Sequence, residues 1–405
     1  MKRLMTAITA AAICLTLMCG CGENESSQGK PAEETTVTAA EKEPEVSVKE
    51  VDKGTMNGLT AAELTAQMKT GWNLGNALDS LGGSETSWGN PVTTQTMIDM
   101  INDGGFDILR VPVTWGEHMG GAPDFTVYPE FMDRVNEVVD YGIGDGMYVI
   151  LEIHHEPDLW LLPDSEHMAE VEPQFKALWE QIADRFKDYG DHLIFESMNE
   201  PRVKGKTHEW TGGNKDERGC VNQLNKDFVE IVRASGGNNS ERMLLIATHA
   251  QAVTKNALEG LELIDDKNVG VAVHTYIPYS FCYHSGESYE TFEWDGHENG
   301  AVDSVFALLD KYFLSKGVPV MITEYGAEFK LVGEDSYEFN SAEVVKWAEY
   351  FLGKAKEYGI PCVIWDNNEH IPGTTPFGIF NRDDLSWNFD DVRQAIMKVY
   401  EEEQQ

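Results

Sequence analysis

The stretch Tyr-Val-Ile-Leu-Glu-Ile-His at positions 148–154 is the clearest fold signal in the chain. It is a nearly continuous apolar run that ends in a polar side chain, as is typical of a parallel strand buried on both faces. Seven more runs of this kind follow Met56, at residues 70–74, 107–112, 193–198, 243–248, 269–274, 319–324 and 362–365. Helical patterns separate most of them, at residues 91–103, 128–145, 171–189, 221–235, 301–315, 341–358 and 389–402. These alternations predict an α/β fold, a (β/α)8 TIM barrel, rather than an open doubly wound sheet.

Polar or aromatic side chains stand at or just beyond the carboxyl ends of the predicted strands. They are Asn73, Arg110, His154, Asn199, Glu200, His249, His274, Glu324 and Trp365. Barrels of this type build their active sites at that end, from the loops that follow the strands. A single polar residue there could be an accident of capping, but so many in register predict a functional site.

Two carboxylates in this set suggest the chemistry. Glu200 follows the fourth predicted strand and Glu324 ends the seventh. Strands four and seven face each other across an eight-stranded barrel, so both carboxyl groups can converge on one bond. Cleavage of a glycosidic bond needs such a pair, one carboxyl to donate a proton and one to attack or to activate water. The alternative is that each glutamate pairs with an arginine or caps a helix.

The charge of the chain excludes several classes of partner. Its 405 residues include 31 Lys and Arg against 69 Asp and Glu, a formal net charge of −38. Nucleic-acid backbones require clustered cations, so DNA and RNA are not expected ligands. The same charge disfavours anionic membrane surfaces and polyanionic substrates. A neutral ligand is the expectation.

The N-terminal residues predict an export signal and a tether. Lys2 and Arg3 precede an apolar run at residues 4–18 that is too short to span a bilayer. Residues 1–21 therefore read as a lipoprotein-type signal peptide, with Cys21 as the lipidated residue, although an ordinary secreted protein is the alternative. Residues 22–55 are acidic and poor in apolar side chains, which predicts a disordered linker. Residues 56–405 form the barrel domain, placed outside a bacterial cell.

The cysteine and histidine patterns do not favour a metal site. Cys220, Cys282 and Cys362 are scattered and form no CxxC pair, so a zinc ribbon is unsupported. His154 and His155 are adjacent, and neighbours in a strand point to opposite faces. No metal and no cofactor are expected.

Seven motifs together resemble glycoside hydrolase family 5, the cellulase family, and within it the bacterial endoglucanases. They are GWNLGNALD at 71–79, ILRVPVTW at 108–115, YVILEIHHE at 148–156, IFESMNEPR at 194–202, HTYIPY at 274–279, VMITEYG at 320–326 and VIWDN at 363–367. The resemblance covers roughly residues 56–400. It has one mild departure, because Glu152 stands where relatives often have Asn or Asp, and its role is left open.

The resemblance implies a role for individual residues. Glu200 would be the acid/base and Glu324 the nucleophile of a retaining double displacement, with Arg110 holding the nucleophile in its ionised form. The other catalytic-site residues that it implies are His154, Asn199, His274 and Tyr276. The substrate-binding residues that it implies are Trp365, His155 and Asn76.

The expected function is a monomeric endo-β-1,4-glucanase acting on cellulose, mixed-linkage glucan or xyloglucan, held to the membrane only through a lipid anchor. One alternative is a β-mannanase or xylanase on the same barrel, because subsite contacts decide between sugars that differ at one position. An alternative of another class is a non-catalytic, glycan-binding surface lipoprotein.

Overall fold

The computed structural model describes residues 51–283, 290–332, 338–371 and 374–401. The predicted signal peptide, Cys21 and the linker up to residue 50 lie outside these ranges. Within the described ranges no helix has the length and apolarity needed to span a bilayer.

Eight parallel strands close a barrel in chain order, with β8 pairing with β1. They are β1 Thr70–Asn73, β2 Ile108–Val111, β3 Tyr148–Leu151, β4 Leu193–Glu196, β5 Leu244–Ala252, β6 Val269–Thr275, β7 Val320–Tyr325 and β8 Cys362–Ile364. The predicted (β/α)8 barrel is confirmed. All eight predicted strands are present, with ends that differ by a few residues.

The described helices include one or more after each strand. They are α1 Ala61–Thr65, α2 Gln95–Asp103, α3 Pro129–Gly144, α4 Glu156–Leu159, α5 Met168–Phe186, α6 Lys215–Ala234, α7 Lys255–Gly260, α8 Tyr279–Cys282, α9 Asn299–Tyr312, α10 Ser341–Tyr358 and α11 Asp390–Tyr400. The helical patterns correspond to α2, α3, α5, α6, α9, α10 and α11. The sequence pattern missed α7, because six residues carry too little periodicity. A small antiparallel pair, β9 Phe380–Asn381 and β10 Ser386–Trp387, lies in the segment after β8.

The interior of the barrel has an apolar lower layer. Alternate residues of a strand point to opposite faces. Ile108, Ile150, Ile194 and Met321 belong to one buried cluster, which α1 closes at the amino end. The residues between them, such as Leu109, pack in the larger cluster against the helices.

The upper layer of the same interior is polar. Two residues further along the strands, the same inward face carries Arg110, Glu152, Glu196 and Thr323, all fully buried. The period of two therefore places charged side chains directly above the apolar layer, at the carboxyl end of the barrel.

The described residues before α1 pack against the amino end of the barrel. The carbonyl of Lys53 accepts a hydrogen bond from Gly190 N–H (2.7 Å), and the carbonyl of Thr55 accepts one from Asp191 N–H (3.2 Å). The side-chain amide of Asn57 donates to Asp191 Oδ2 (2.8 Å). Residues 51–55, predicted as the end of the disordered linker, therefore belong to the folded unit. Composition alone missed this, because the contacts are made through backbone groups that every residue carries.

Candidate active site

Arg110 occupies the centre of the polar layer and makes five hydrogen bonds. Its Nη1 donates to Asn73 Oδ1 (3.0 Å) and Glu324 Oε1 (2.8 Å). Its Nη2 donates to Asn199 Oδ1 (3.0 Å). Its Nε and Nη2 bind the two carboxylate oxygens of Glu196 at 2.9 and 3.0 Å. The planar guanidinium thus aligns groups from three different strands or the loops after them.

Three carboxyl groups surround this one cation. Burial opposes the charge on Arg110, but Glu196, Glu152 and Glu324 raise its pKa above the ordinary value. The pKa of Glu152 is raised well above its usual range by burial, and the charges of Glu196 and Glu324 act in the same direction. The charge of Arg110 opposes this rise in the pKa of Glu152.

Hydrogen bonds define the tautomer of His154. Because Asn199 Oδ1 accepts from Arg110, its amide nitrogen faces His154 Nε2 at 3.5 Å. Nε2 is then the acceptor, and Nδ1–H donates to Glu152 Oε1 (2.6 Å). Burial lowers the pKa of His154 well below its ordinary value, so the ring is neutral. Glu152, whose role the sequence left open, orients this histidine.

The two candidate glutamates approach each other above Arg110. Tyr276 donates its hydroxyl proton to Glu324 Oε2 (2.9 Å). His274 Nδ1 lies 3.2 Å from Glu200 Oε1 and 3.5 Å from Glu324 Oε2. Arg202 Nη1 lies 3.1 Å from Glu200 Oε2. One oxygen of Glu200 and one of Glu324 are within 4.8 Å of each other.

The surroundings of the two glutamates shift their pKa values in opposite directions. Burial is the largest effect on Glu324 and raises its pKa, while His274 and Arg110 oppose this. Burial also acts to raise the pKa of Glu200, but the hydrogen bond from His274 and the charge of Arg202 outweigh it and lower the pKa. Because the two carboxyl groups interact, they bind protons as a pair.

Backbone irregularities set the positions of the Glu200 and Glu324 side chains. A register shift between β6 and β7 adds one residue on β7 just before Glu324. Glu200 lies four residues beyond the end of β4 and has a φ of 42°, in the left-handed region that glycine prefers. The predicted strand at 193–198 ends earlier, at Glu196, so Glu200 is a loop residue.

An open cleft of about 940 Å³ surrounds this pair. Its lining includes the glutamates, His154, His155, Asn199, Arg202, His274 and the aromatic residues Trp88, Trp210, Tyr276, Tyr279, Tyr283 and Trp365. Trp88, Trp210 and Tyr279 are 40%, 52% and 52% exposed, so part of each ring is available to a ligand.

The Trp365 ring packs against Gly75, and Trp365 also lines the cleft. A Cβ atom on Gly75 would be 2.6 Å from the Trp365 ring, so only glycine allows this approach. The ring is parallel to that of His154 at a centroid distance of 5.7 Å.

His155 is held as a cation at the same rim. Burial acts to lower its pKa, but the carboxylates of Asp158 and Asp79 outweigh burial and raise the pKa to about 9. Its Nδ1 lies 3.4 Å from Asp158 and its Nε2 lies 3.7 Å from Asp79.

Two residues predicted from sequence do not line the cleft. Asn76, expected to bind substrate, is not among the lining residues; its backbone N–H donates to Asp79 Oδ2 (3.0 Å), and its carbonyl accepts from Asn90. His249, placed among the rim residues, is buried beside Glu217 with Nε2 at 3.2 Å from its carboxylate. A polar residue at the end of an apolar run does not by that position alone face the cleft, since His249 lies within β5.

Sequence reasoning missed Glu196, Arg202 and Gln251. Glu196 had a usable signal, because it interrupts an apolar strand two residues after Ile194, on the inward face. Arg202 and Gln251 follow irregular backbone, where no periodicity applies.

Two sets of described side chains are close enough to bracket an ion: Asp79, His154 and His155, and Glu200, His274 and Glu324. In the first set, Asp79 already accepts the backbone N–H groups of Asn76 and Ala77. In the second, Arg110, Arg202 and Tyr276 already bind the carboxylate oxygens. The carboxylates of both sets therefore have hydrogen-bond or ion-pair partners within the protein.

A (β/α)8 barrel that joins two glutamates, a buried arginine and an aromatic cleft at its carboxyl end has the construction of a glycoside hydrolase. The chain matches the family model of the cellulases, glycosyl hydrolase family 5, over residues 69–371, and it belongs to this family.

Its relatives are similar over most of their length. Endoglucanase A of Ruminococcus albus is 46% identical over 350 residues, which cover 85% of this chain and 94% of that protein. A family 5 xyloglucan-specific endo-β-1,4-glucanase from a metagenomic library, solved with cellotriose, is 41% identical with a TM-score of 0.79, covering 84% of this chain and 98% of that one. A broad-specificity endoglucanase from Ruminococcus champanellensis with bound cellotriose is 38% identical with a TM-score of 0.79, covering 85% and 100%. The predicted family is confirmed.

Proposed function

We propose that this endo-β-1,4-glucanase cleaves cellulose, mixed-linkage glucan and xyloglucan by a retaining double displacement, with Glu324 as nucleophile and Glu200 as acid/base. The observation that carries the proposal is the separation of the two carboxyl groups, whose nearest oxygens are within 4.8 Å. Retaining enzymes hold these groups about 5–5.5 Å apart, whereas inverting enzymes need about 6.5–9.5 Å to admit a water.

Glu324 is suited to attack the anomeric carbon. Arg110 and Tyr276 hold its two oxygens at 2.8 and 2.9 Å, which orients the carboxylate and stabilises its charge. The bond from the anomeric carbon to the leaving oxygen breaks as the ester bond to Glu324 forms. Water then hydrolyses that ester with help from Glu200.

Glu200 is suited to give a proton to the leaving oxygen. Its side chain is 18% exposed, against 7% for Glu324, so a bound glucan removes more water from Glu200. Desolvation raises the pKa of a carboxyl group, so substrate binding moves the shared proton towards Glu200. Asn199, held by Arg110, supports the sugar hydroxyl beside the reacting carbon.

Aromatic surfaces and charge support a neutral glucan as substrate. Trp365 offers a platform beside the glutamates, and Trp210 and Tyr279 offer ring faces on the loops after β4 and β6. Apolar faces of pyranose rings stack on such side chains. The two solved relatives described above bind cellotriose, a β-1,4-glucan fragment.

Trapping the covalent intermediate tests the assignment. A 2-deoxy-2-fluoro cellobioside with a good leaving group should label Glu324, and Glu324→Gln should abolish the labelling. Glu200→Gln should lower kcat on cellulose by about 10²–10⁴-fold, the usual contribution of general acid–base catalysis. Glu241→Gln, an exposed control, should retain full activity. Labelling of another residue, or normal turnover in either active-site variant, would refute the assignment.

We also propose that the protein is exported, anchored through a lipid on Cys21 and active as a monomer. The basic and apolar N-terminal residues support export, and the cleft is assembled from the residues of one chain. In a bacterial host, palmitate should label the protein and Cys21→Ser should remove the label. Sedimentation of the Cys21→Ser protein, which lacks the lipid anchor, should give the mass of a monomer.

A further inference from the structure

An unusual bulge in β5 lies directly beside the candidate acid/base. β5 advances five residues, from Ala247 to Ala252, where its partner β6 advances only two. Ala250 and Gln251, inside this bulge, have φ values of 54° and 48°. Two consecutive non-glycine residues in the left-handed region are uncommon, and strained backbone of this kind often accompanies functional sites.

The bulge turns the Gln251 side chain into the barrel. Gln251 is fully buried. Its Oε1 accepts the backbone N–H of Glu200 at 2.7 Å, and its Nε2 donates to Glu196 Oε1 at 2.5 Å. One amide thus joins the backbone of Glu200 to the carboxylate that binds Arg110.

A second contact from the same bulge holds the next residue of the loop. Ala250 N–H donates to the carbonyl of Pro201 at 2.9 Å. The bulge therefore holds the peptide group before Glu200 and the peptide group after Pro201, on either side of a residue whose φ is 42°. These contacts act together with the hydrogen bond from Arg202 to the Glu200 carbonyl to keep Glu200 in the left-handed region.

We propose that Gln251 is a positioning residue for proton donation, which holds Glu200 where its carboxyl group reaches the leaving oxygen. The inference rests on the proposed role of Glu200. The amide side chain meets both requirements, because it accepts from a peptide N–H and donates to a carboxylate at the same time. The charged groups around it are Glu196 on β4 and, behind that, Arg110 on β2.

The proposal predicts a dependence on the leaving group. The leaving group of an aryl cellobioside is its phenol. A strongly acidic phenol departs as the anion without a proton, whereas a weakly acidic phenol needs a proton from Glu200. The apolar substitution Gln251→Met should therefore lower kcat/KM about 100-fold for the poor leaving groups. It should lower kcat/KM much less for dinitrophenyl cellobioside, whose leaving group is strongly acidic. A general loss of packing would lower both equally.

Gln251→Glu provides a variant of the same shape. Its carboxylate can accept from Glu200 N–H but cannot donate to Glu196, and the two negative charges repel. Protonation restores the donor, and the nearby carboxylate raises the pKa of the introduced group. The activity of Gln251→Glu relative to wild type should therefore recover as the pH falls, whereas that of Gln251→Met should not.

Thr323→Val is the matched control. Thr323 donates to the same oxygen of Glu196 at 3.1 Å and lies 3.5 Å from Gln251 Nε2, but among the described residues no hydrogen bond joins it to Glu200. Its effect on kcat/KM should be independent of the leaving group. Thermal unfolding of each variant identifies any that fails to fold. If Gln251→Met fails to fold, the test uses Gln251→Glu, whose new side chain is close in shape to the native one.

The outcomes separate this inference from the proposed function. A uniform loss for all leaving groups in folded Gln251→Met and Gln251→Glu, with no recovery at low pH, would overturn the role of Gln251. In that case Glu200→Ala should still lose much more kcat/KM for poor leaving groups than for good ones, as expected of an enzyme without its general acid. If Glu200→Ala lacks that dependence, the proposed function of Glu200 itself is wrong.

Discussion

At the residue scale, Arg202 links the candidate acid to the wall of the cleft. Its Nη1 donates to the backbone carbonyl of Glu200 at 2.8 Å and lies 3.1 Å from Glu200 Oε2. Its Nε donates to Glu209 at 3.0 Å, and its guanidinium stacks 4.1 Å above the ring of Trp210. The arginine that lowers the pKa of Glu200 is therefore itself held by an exposed aromatic ring.

Removing this charge should move the pH profile in one direction. A positive neighbour favours the carboxylate, so Arg202→Met should raise the pKa of Glu200, which then keeps its proton to higher pH. The alkaline limb of kcat/KM reports the acid of the free enzyme and should shift upward. Arg202→Lys keeps a charge and should shift it less. An unchanged limb in Arg202→Met, or equal shifts in both variants, would contradict this role.

At the element scale, the active-site end and the opposite end of the barrel depend on different segments. The bulges in β5 and β7 shape the carboxyl end. Residues 51–57 cover the amino end, where they bond Gly190 and Asp191 just before β4. These contacts are remote from the cleft, so they should affect stability and leave turnover intact.

Truncation tests this separation. A chain that begins at residue 58 loses the partners of two backbone N–H groups and of Asp191, compared with a chain that begins at residue 51. At about 1 kcal/mol for each hydrogen bond, the free energy of unfolding should fall by roughly 2–4 kcal/mol. Urea denaturation measures the difference, and kcat on an aryl cellobioside should be the same for both. Equal stability would show that the segment does not brace the barrel.

At the scale of the whole molecule, the net charge of −38 distinguishes neutral from anionic glucans. Like charges repel over a Debye length of about 30 Å at 0.01 M salt, which falls to about 10 Å at 0.1 M. The charge should therefore leave the binding of xyloglucan or mixed-linkage glucan unaffected. It should weaken the binding of carboxymethylcellulose.

A panel of polysaccharides measures this effect and the preferred backbone together. The KM for carboxymethylcellulose should fall as salt rises from 0.01 to about 0.1 M, whereas the KM for xyloglucan should stay constant. Reducing-sugar release with product sizing should give higher kcat/KM on β-1,4-glucans than on mannan or xylan. A preference for mannan or xylan would reassign the substrate, and equal salt dependence would remove the charge argument.

Short-range information in the sequence was enough to predict the barrel and most of the catalytic end. Apolar runs such as residues 148–151 specify buried strands through local periodicity, and polar residues at their ends indicate the rim. Arg110, Glu324 and Trp365 were found in this way, because each lies within a strand or one residue past its end.

Tertiary structure decided how those groups are held. Gln251 reaches Glu200 only because β5 bulges by three extra residues, and Arg202 reaches it only because the loop after β4 turns back. The substrate contact expected of Asn76 stays a prediction, because the hydrogen bonds seen at this residue are made by its backbone. Periodicity records which face of an element is buried. The direction of an irregular segment depends on hydrogen bonds between residues far apart in the chain, and these form only when the barrel closes.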